Sequence, residues 1–253
     1  YENYFDGSAF AKISNRNLEI KKKTYAGKNI TIVSPSRYLL NCCKESQIFE
    51  GKTHTVIPNS VPATIYHPLS SRESIRKNLS LKESDQLWVF ACAELDYFRK
   101  GADILLKAFS DYKNENIRLL IVGNPGKQVK PDDKRIRFTG HIGENKLVEL
   151  LNAADALIHT SREDNFPNII LESLFCGTPV LSTDEGGVSE MIRDGVNGCL
   201  TSAEELPAGF QRILSKQFDR EKISTEAQAV FSAEVQALRF VQLYEEISLR
   251  NPR

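Results

Sequence analysis

Apolar positions in this chain fall in short runs separated by amphipathic stretches. From Lys28, the β-branched run Asn29-Ile30-Thr31-Ile32-Val33 leads through Ser34-Pro35-Ser36 into an amphipathic stretch from Arg37 to Ser46, predicting a strand, a cap and a helix. Ser34 or Ser36 is the expected acceptor for the first free amides of that helix. A second β-like run, His54 to Ile57, ends at Pro58-Asn59, and the irregular stretch to about Pro68 reads as a linker. Beyond it the pattern predicts strands at 87–92, 117–122, 135–138, 156–159, 179–182 and 198–200. Helices are predicted between them at 101–113, 144–153, 168–176 and 187–193, and two more, 204–216 and 232–249, close the chain. Val235, Leu238, Val241, Tyr244 and Ile247 recur close to helical spacing in the last of these and are expected to lie in the core.

Strands alternating with helices imply a parallel sheet, and runs such as Leu119-Leu120-Ile121-Val122, apolar on both faces, require helices on each side. The expected fold class is therefore α/β, a Rossmann-like parallel sheet covered on both faces. Residues 61–253 carry a complete alternating pattern, whereas 1–60 hold only one or two strands, a basic stretch around Lys21-Lys22-Lys23 that reads as a solvated face, and the linker.

Charge and composition narrow the chemistry. The chain has 253 residues, with 33 basic side chains against 33 acidic ones, so no net field draws it to nucleic acid. Its longest apolar stretches, such as Trp88 to Ala93, are far shorter than the roughly 20 residues that span a bilayer. Five cysteines without a CxxC spacing fit a reducing compartment, and the expected location is cytoplasmic. Four histidines without metal-ligand spacing argue against a structural zinc. The first residue is Tyr1, no signal peptide follows, and the chain reads as part of something longer.

The most informative stretch runs from Ser161 to Ser173 and on through Cys176-Gly177-Thr178-Pro179-Val180, leaving a strand and entering a helix. Pro167 suits a first-turn position and Gly177 the left-handed residue after the helix. Seven residues separate Asp164 from Glu172, which puts one carboxylate in the loop above the sheet and the other on the helix below it. Two acceptors in one cleft can hold two sets of hydroxyls, with the helix amino terminus between them favouring phosphate. A sugar attached to a ribonucleotide presents that pattern. Gly186-Gly187 after the next strand, and Lys100-Gly101 after strand 87–92, add close backbone approach and an ammonium at the same carboxyl edge.

These residues resemble the nucleotide-sugar-binding half of the retaining family 4 glycosyltransferases, which have the GT-B fold. The resemblance includes Ile57-Pro58-Asn59-Ser60-Val61, Arg99-Lys100-Gly101 with Leu105 to Phe109, and Gly140 to Asp155. It is strongest from Asp164 to Gly198, where the acidic pair, the CGTPV turn, the Gly-Gly-x-x-Glu and the Asp-Gly-x-Asn-Gly occur in order. It implies transfer of a sugar, with retention of configuration, from a nucleotide-sugar donor to a glycan or lipid-linked acceptor in cell-surface polysaccharide assembly. It implies, too, that Glu172 grips the ribose, Asp164 the transferred sugar and Lys100 the diphosphate. Backbone around Ile142 would meet the base, and the amides of Phe166 and Asn168 the sugar or phosphate. Such enzymes work without a metal or other cofactor, and UDP is the favoured nucleotide. Residues 1–60 would then be the end of an acceptor-binding domain, whose remainder could attach peripherally to the inner face of the membrane.

The chain departs from the family pattern at three places. The first acid is Asp164 where Glu is usual, with Glu163 beside it as a substitute. Pro167 replaces a glycine and removes an amide donor. The family's diphosphate-binding arginine falls at Glu94, leaving Arg99 either to take its place or to face solvent. Glu94 and Pro167 also suit a second reading, a nucleotide-sugar-binding module without transfer activity. A dinucleotide-dependent oxidoreductase would need GxGxxG after the first strand, which Gly123-Asn124-Pro125-Gly126 does not provide.

Overall fold

The computed structural model describes residues 8–125 and 133–250, with side-chain placement from residue 12 onward. The chain divides into two compact units, Tyr1–Ile57 and Pro58–Arg253. The smaller contains helix α1 (Ser8–Tyr25), strand β1 (Thr31–Ser34), helix α2 (Arg37–Glu45) and strand β2 (Thr53–Val56). β1 and β2 pair in parallel, from Thr31 opposite Thr53 to Ser34 opposite Val56, so α2 is the crossover of one βαβ turn. Ser36 is the cap: its side chain accepts from the Leu39 amide at 3.1 Å.

The larger unit begins with helix α3 (Arg72–Asn78) and then alternates. Strands β3 (Gln86–Glu94), β4 (Ile117–Asn124), β5 (Ile136–Gly140), β6 (Ala156–His159), β7 (Val180–Thr183) and β8 (Gly198–Thr201) form one sheet in the order β5-β4-β3-β6-β7-β8, and every pairing is parallel. Helices α4 (Ala102–Asp111), α5 (Glu144–Ala153) and α6 (Asn168–Phe175) connect them, and α7 (Leu206–Ser215), α8 (Arg220–Phe231) and α9 (Ala233–Arg250) follow β8. The side-chain alternation of a strand divides the core in two. Leu87, Val89, Leu120, Val122 and Leu157 lie in one cluster, while Trp88, Phe90, Leu119, Ile121 and Ile158 lie in the other. Each face is thus buried under its own layer of helices, as a parallel sheet demands.

The structure departs from the expected pattern in four places. The helix predicted at 187–193 is a single 3-10 turn, Val188–Glu190, because the chain entering it is tied down: Gly186 is left-handed at φ 70° and the Gly187 amide donates to the Asp164 carbonyl at 2.9 Å. α3 and α8 were not foreseen; α8 buries only Ile223, Ser224 and Ala227, too narrow a stripe to read as amphipathic. On α9 the apolar residues expected in the core are largely outside it. Leu238, Val241 and Tyr244 are at least half exposed, and Leu243 is the residue the helix buries. Helical spacing fixes which residues share a face but not whether a layer covers that face. Residues 58–61, read as linker, are tied into the larger unit: Ser60 donates to Gln236 at 2.8 Å and Val61 is buried in its core. Among the described residues no helix is long and apolar enough to cross a membrane.

Candidate functional site

Strand order reverses between β3 and β6. The segment after β3 leads towards β4 on one side, whereas β6 leads to β7 on the other, and the two connections diverge to leave a crevice beyond their carboxyl ends. Lys100 comes from the first connection and Asp164 from the second. They meet there, with Lys100 Nζ 2.6 Å from Asp164 Oδ2. A 3-10 turn, Phe98–Lys100, followed by left-handed Gly101 aims the lysine. The Arg162 amide donates to the Arg99 carbonyl at 2.8 Å, and the Thr160 hydroxyl to the Gly101 carbonyl at 2.8 Å, binding this turn to the chain leaving β6.

Arg99 joins the same cluster. Its guanidinium donates to the Glu163 carbonyl at 3.0 Å and lies 3.6 Å from Asp164 Oδ1. Arg99 reaches the acidic loop while about half of its side chain, 49%, stays in solvent. Of the two adjacent acids it is Asp164, not Glu163, whose carboxylate meets Lys100. His159 Nε2 lies 3.7 Å from Asp164 Oδ2. Burial alone would raise the Asp164 pKa, but His159 and Lys100 outweigh it and hold the carboxyl well below the usual range. Two cations and one anion give the cluster a net charge of +1, suited to an anion larger than one carboxylate.

Glu172 lies in the second turn of α6, half-buried, and among the described residues its carboxylate has no hydrogen-bond or ion-pair partner. Burial, and then the charge of Glu144 at the start of α5, push its pKa up to about 7. Tyr66 donates to Glu144 Oε1 at 3.2 Å, so the base of α5, Glu172 and Tyr66 form one neighbourhood. Ile142, two residues before Glu144, packs partly buried against the same core cluster as Tyr66 and Leu171. A half-buried acid without a protein partner is placed to accept from hydroxyl donors of a ligand.

Pro167 is the residue before the first turn of α6 and adopts extended backbone, φ −70° and ψ 121°. Within the described chain the amides of Phe166 and Asn168 donate to nothing, which leaves them for an acceptor outside it. Asn59 secures this loop from 107 residues away: its side-chain amide donates to the Phe166 carbonyl and to Asn168 Oδ1, both at 3.2 Å. Gly186 and Gly187 take a different part from the one their sequence suggested. A Cβ on Gly186 would stand 2.1 Å from the Asp164 carbonyl, and the Gly187 amide is spent on that oxygen. Their close backbone approach is to the loop carrying Asp164.

Sequence reasoning missed Asn59, Tyr66 and His159. Asn59 and His159 left a signal: Asn59 sits in the Ile57-Pro58-Asn59-Ser60-Val61 segment, and His159 is a polar residue ending the otherwise apolar run Ala156-Leu157-Ile158. Among the described residues no group of three or more His, Cys, Asp or Glu is arranged to hold a metal ion.

Residues 86–216 match the protein-family model described as "Glycosyl transferases group 1". A D-inositol 3-phosphate glycosyltransferase of Acidothermus cellulolyticus is 28% identical over 205 residues, covering 73% of this chain and 44% of that protein. The phosphatidylinositol N-acetylglucosaminyltransferase GPI3 subunit of Saccharomyces cerevisiae is 23% identical, covering 82% of this chain and 50% of that one. The chain thus spans about half the length of these relatives or less. Among solved structures, sucrose-phosphate synthase of Thermosynechococcus elongatus superposes with a TM-score of 0.76 at 22% identity, over 94% of this chain and 63% of that one. Anabaena Alr3699/HepE in complex with UDP-glucose gives 0.71 at 20% identity, over 92% and 68%.

Proposed function

Because the chain belongs to the glycosyl transferases of group 1, with the GT-B fold, we propose that residues 58–253 are the donor-binding half of an enzyme that transfers a sugar from a nucleotide to a glycan or lipid-linked acceptor. The meeting of Lys100 and Asp164, 64 residues apart, at the switch point of the sheet carries this reading. In it the donor diphosphate draws Lys100 and Arg99 off Asp164 and lies on the free amides at the start of α6. Asp164 is then released to the hydroxyls of the transferred sugar, and Glu172 takes the ribose diol. Fixed cations and amides stabilise the departing nucleoside diphosphate, so the reading needs no metal and is compatible with retention of configuration. Residues 1–57 supply a βαβ piece of the acceptor-binding side. The inositol phosphate and phosphatidylinositol in the names of these relatives support a polar or lipid-linked acceptor; surface polysaccharide assembly is the setting we propose for it.

UDP is our choice of nucleotide, in keeping with the UDP-glucose held by HepE. A thermal-shift panel of UDP-, GDP- and ADP-glucose with EDTA present tests both points. A ligand at ~100 times its dissociation constant adds about 2.7 kcal/mol. The expected outcome is one strong shift, from the UDP sugar; no shift from any of the three sinks the donor-site reading.

Lys100→Ala is expected to weaken UDP binding about 10–100-fold while leaving uridine binding within about twofold, since a charge-assisted contact to the diphosphate is worth ~1.5–3 kcal/mol. Arg99→Ala, more exposed, should cost less. Calorimetric titration of both ligands checks this, and equal losses for UDP and uridine would make Lys100 structural.

A further inference from the structure

We infer that His159 is a positioning residue for Asp164, a counter-ion in reserve that takes a proton from solvent when a donor diphosphate draws Lys100 and Arg99 away. The inference rests on the donor-site reading above and goes on to say how that site keeps its acid in place.

We assign the ring's proton in the free chain to Nδ1. His159 ends β6 with its side chain buried. Its Nδ1 lies 2.9 Å from Ser182 Oγ, and that hydroxyl donates its single hydrogen to the Thr183 carbonyl at 2.9 Å. With the serine hydrogen on that carbonyl, the hydrogen between ring and serine belongs to Nδ1 and Nε2 carries a lone pair; a serine that donated to Nδ1 instead would put the ring hydrogen on Nε2. Nε2 faces Ser161 Oγ at 3.1 Å and Asp164 Oδ2 at 3.7 Å. A lone pair beside a carboxylate is repulsive unless something neutralises the acid. In the free chain Lys100 at 2.6 Å and Arg99 at 3.6 Å do so, and the Ser161 hydroxyl can donate to Nε2.

Three charged groups face the ring, and they oppose one another. Burial does most to keep it neutral, Asp164 favours the imidazolium, and Lys100 and Arg99 disfavour it. When the two cations turn to a diphosphate, their opposition is cancelled and the attraction of Asp164 is left unopposed. Protonation of Nε2 then places an N–H where the lone pair was, and the Ser161 hydroxyl turns away. Asp164 retains a fixed partner on its protein side while its other oxygen is presented to the sugar. Without His159 the acid would be held only by groups that the substrate removes.

The test is calorimetric titration of the 253-residue chain with UDP-glucose at pH 7 in buffers of different ionisation enthalpy. UDP-glucose is suited to it because its diphosphate is esterified at both ends and carries no group titrating near neutrality. Wild type is expected to take up about 0.5–1 proton per chain more than His159→Asn, a difference that removes any contribution from Glu172. Its affinity should also rise several-fold from pH 8 to 6.5, more steeply than that of the variant. Ring nitrogen shifts of the unsubstituted chain give a second readout, which decides the matter should His159→Asn fail to fold. We expect a neutral Nδ1–H ring in the free chain and both nitrogens protonated at saturation. Binding with equal proton uptake in the two proteins, a ring that stays neutral at saturation, or an Nε2–H tautomer in the free chain overturns the role of His159 and leaves the donor site standing. Absence of binding by UDP-, GDP- and ADP-glucose alike overturns the donor site, and this inference with it.

Discussion

Glu172→Gln is expected to fold more stably than the wild-type chain at pH 8 while binding nucleotide more weakly. Its carboxyl titrates near 4.5 when unfolded and is raised to about 7 in the folded chain, first by burial and then by Glu144. An acid whose folded pKa is raised holds its proton more tightly in the native state. It costs no stability below about 4.5, progressively more as pH rises to about 7, and the full amount above that. That amount is about 3 kcal/mol, and glutamine, with no charge to bury, escapes it. Denaturant unfolding of both proteins at pH 5 and pH 8 checks this: the advantage of the glutamine should be large at pH 8 and small at pH 5. The same change removes a charged acceptor for the ribose diol, weakening UDP binding by roughly 10–100-fold, and by more than Asp164→Asn does. A glutamine variant no more stable than wild type at pH 8 would show that Glu172 is already satisfied in the free chain. Reversed binding losses would exchange the roles of the two acids.

Gly101→Ala is expected to cost about 2–4 kcal/mol of stability and most of the nucleotide affinity. Gly101 is left-handed at φ 65°, and a Cβ there would stand 1.8 Å from the Thr160 carbonyl oxygen. Both partners in that clash are backbone, so no side-chain rotation relieves it. The turn carrying Lys100 must move off the chain leaving β6, and Lys100 moves off Asp164 with it. Gly143→Ala is the control. Its φ is −74° and nothing lies within 4 Å of the added carbon, so only the poorer N-cap of α5 is felt and stability should fall by less than about 1 kcal/mol. Chemical unfolding and UDP titration on both variants test the contrast; a Gly101→Ala protein with unchanged affinity would mean that Lys100 is aimed by something other than this turn.

Both predictions turn on the difference between reading a residue and locating it. That Asp164 precedes a helix and Glu172 lies on it follows from the sequence alone, because strand, loop and helix are local. That Glu172 is half-buried without a partner, whereas Asp164 is paired with Lys100, does not. The pairing joins residues 64 apart, and the burial comes from α5 packing beside α6. Local patterning likewise offered Ser34 or Ser36 as a cap, of which Ser36 serves, and Lys100-Gly101 as a helix start, but it did not show that Gly186 and Gly187 pack on the loop carrying Asp164. Glycines that let two backbones meet look the same in sequence whether the second backbone belongs to the protein or a ligand to it.

What the sequence by itself determined is the order of the six strands and of helices α4 to α7 and α9 in the sheet unit: short apolar runs and amphipathic stretches specify β-strand and helix through short-range sterics and hydrogen bonding. It determined as well the motif set that places the chain in its family. Strand order, and therefore the switch point, came only from the tertiary structure, because each parallel strand can be placed on either side of its predecessor without changing any local signal. The same holds for the apolar face of α9. Its spacing encodes a stripe, but whether Leu238, Val241 and Tyr244 are buried depends on what packs against them, and the described residues leave them exposed. The surroundings of His159 are the extreme case. Its Nδ1 meets the Ser182 hydroxyl, 23 residues away on the adjacent strand, through a contact that exists only once β6 and β7 have paired.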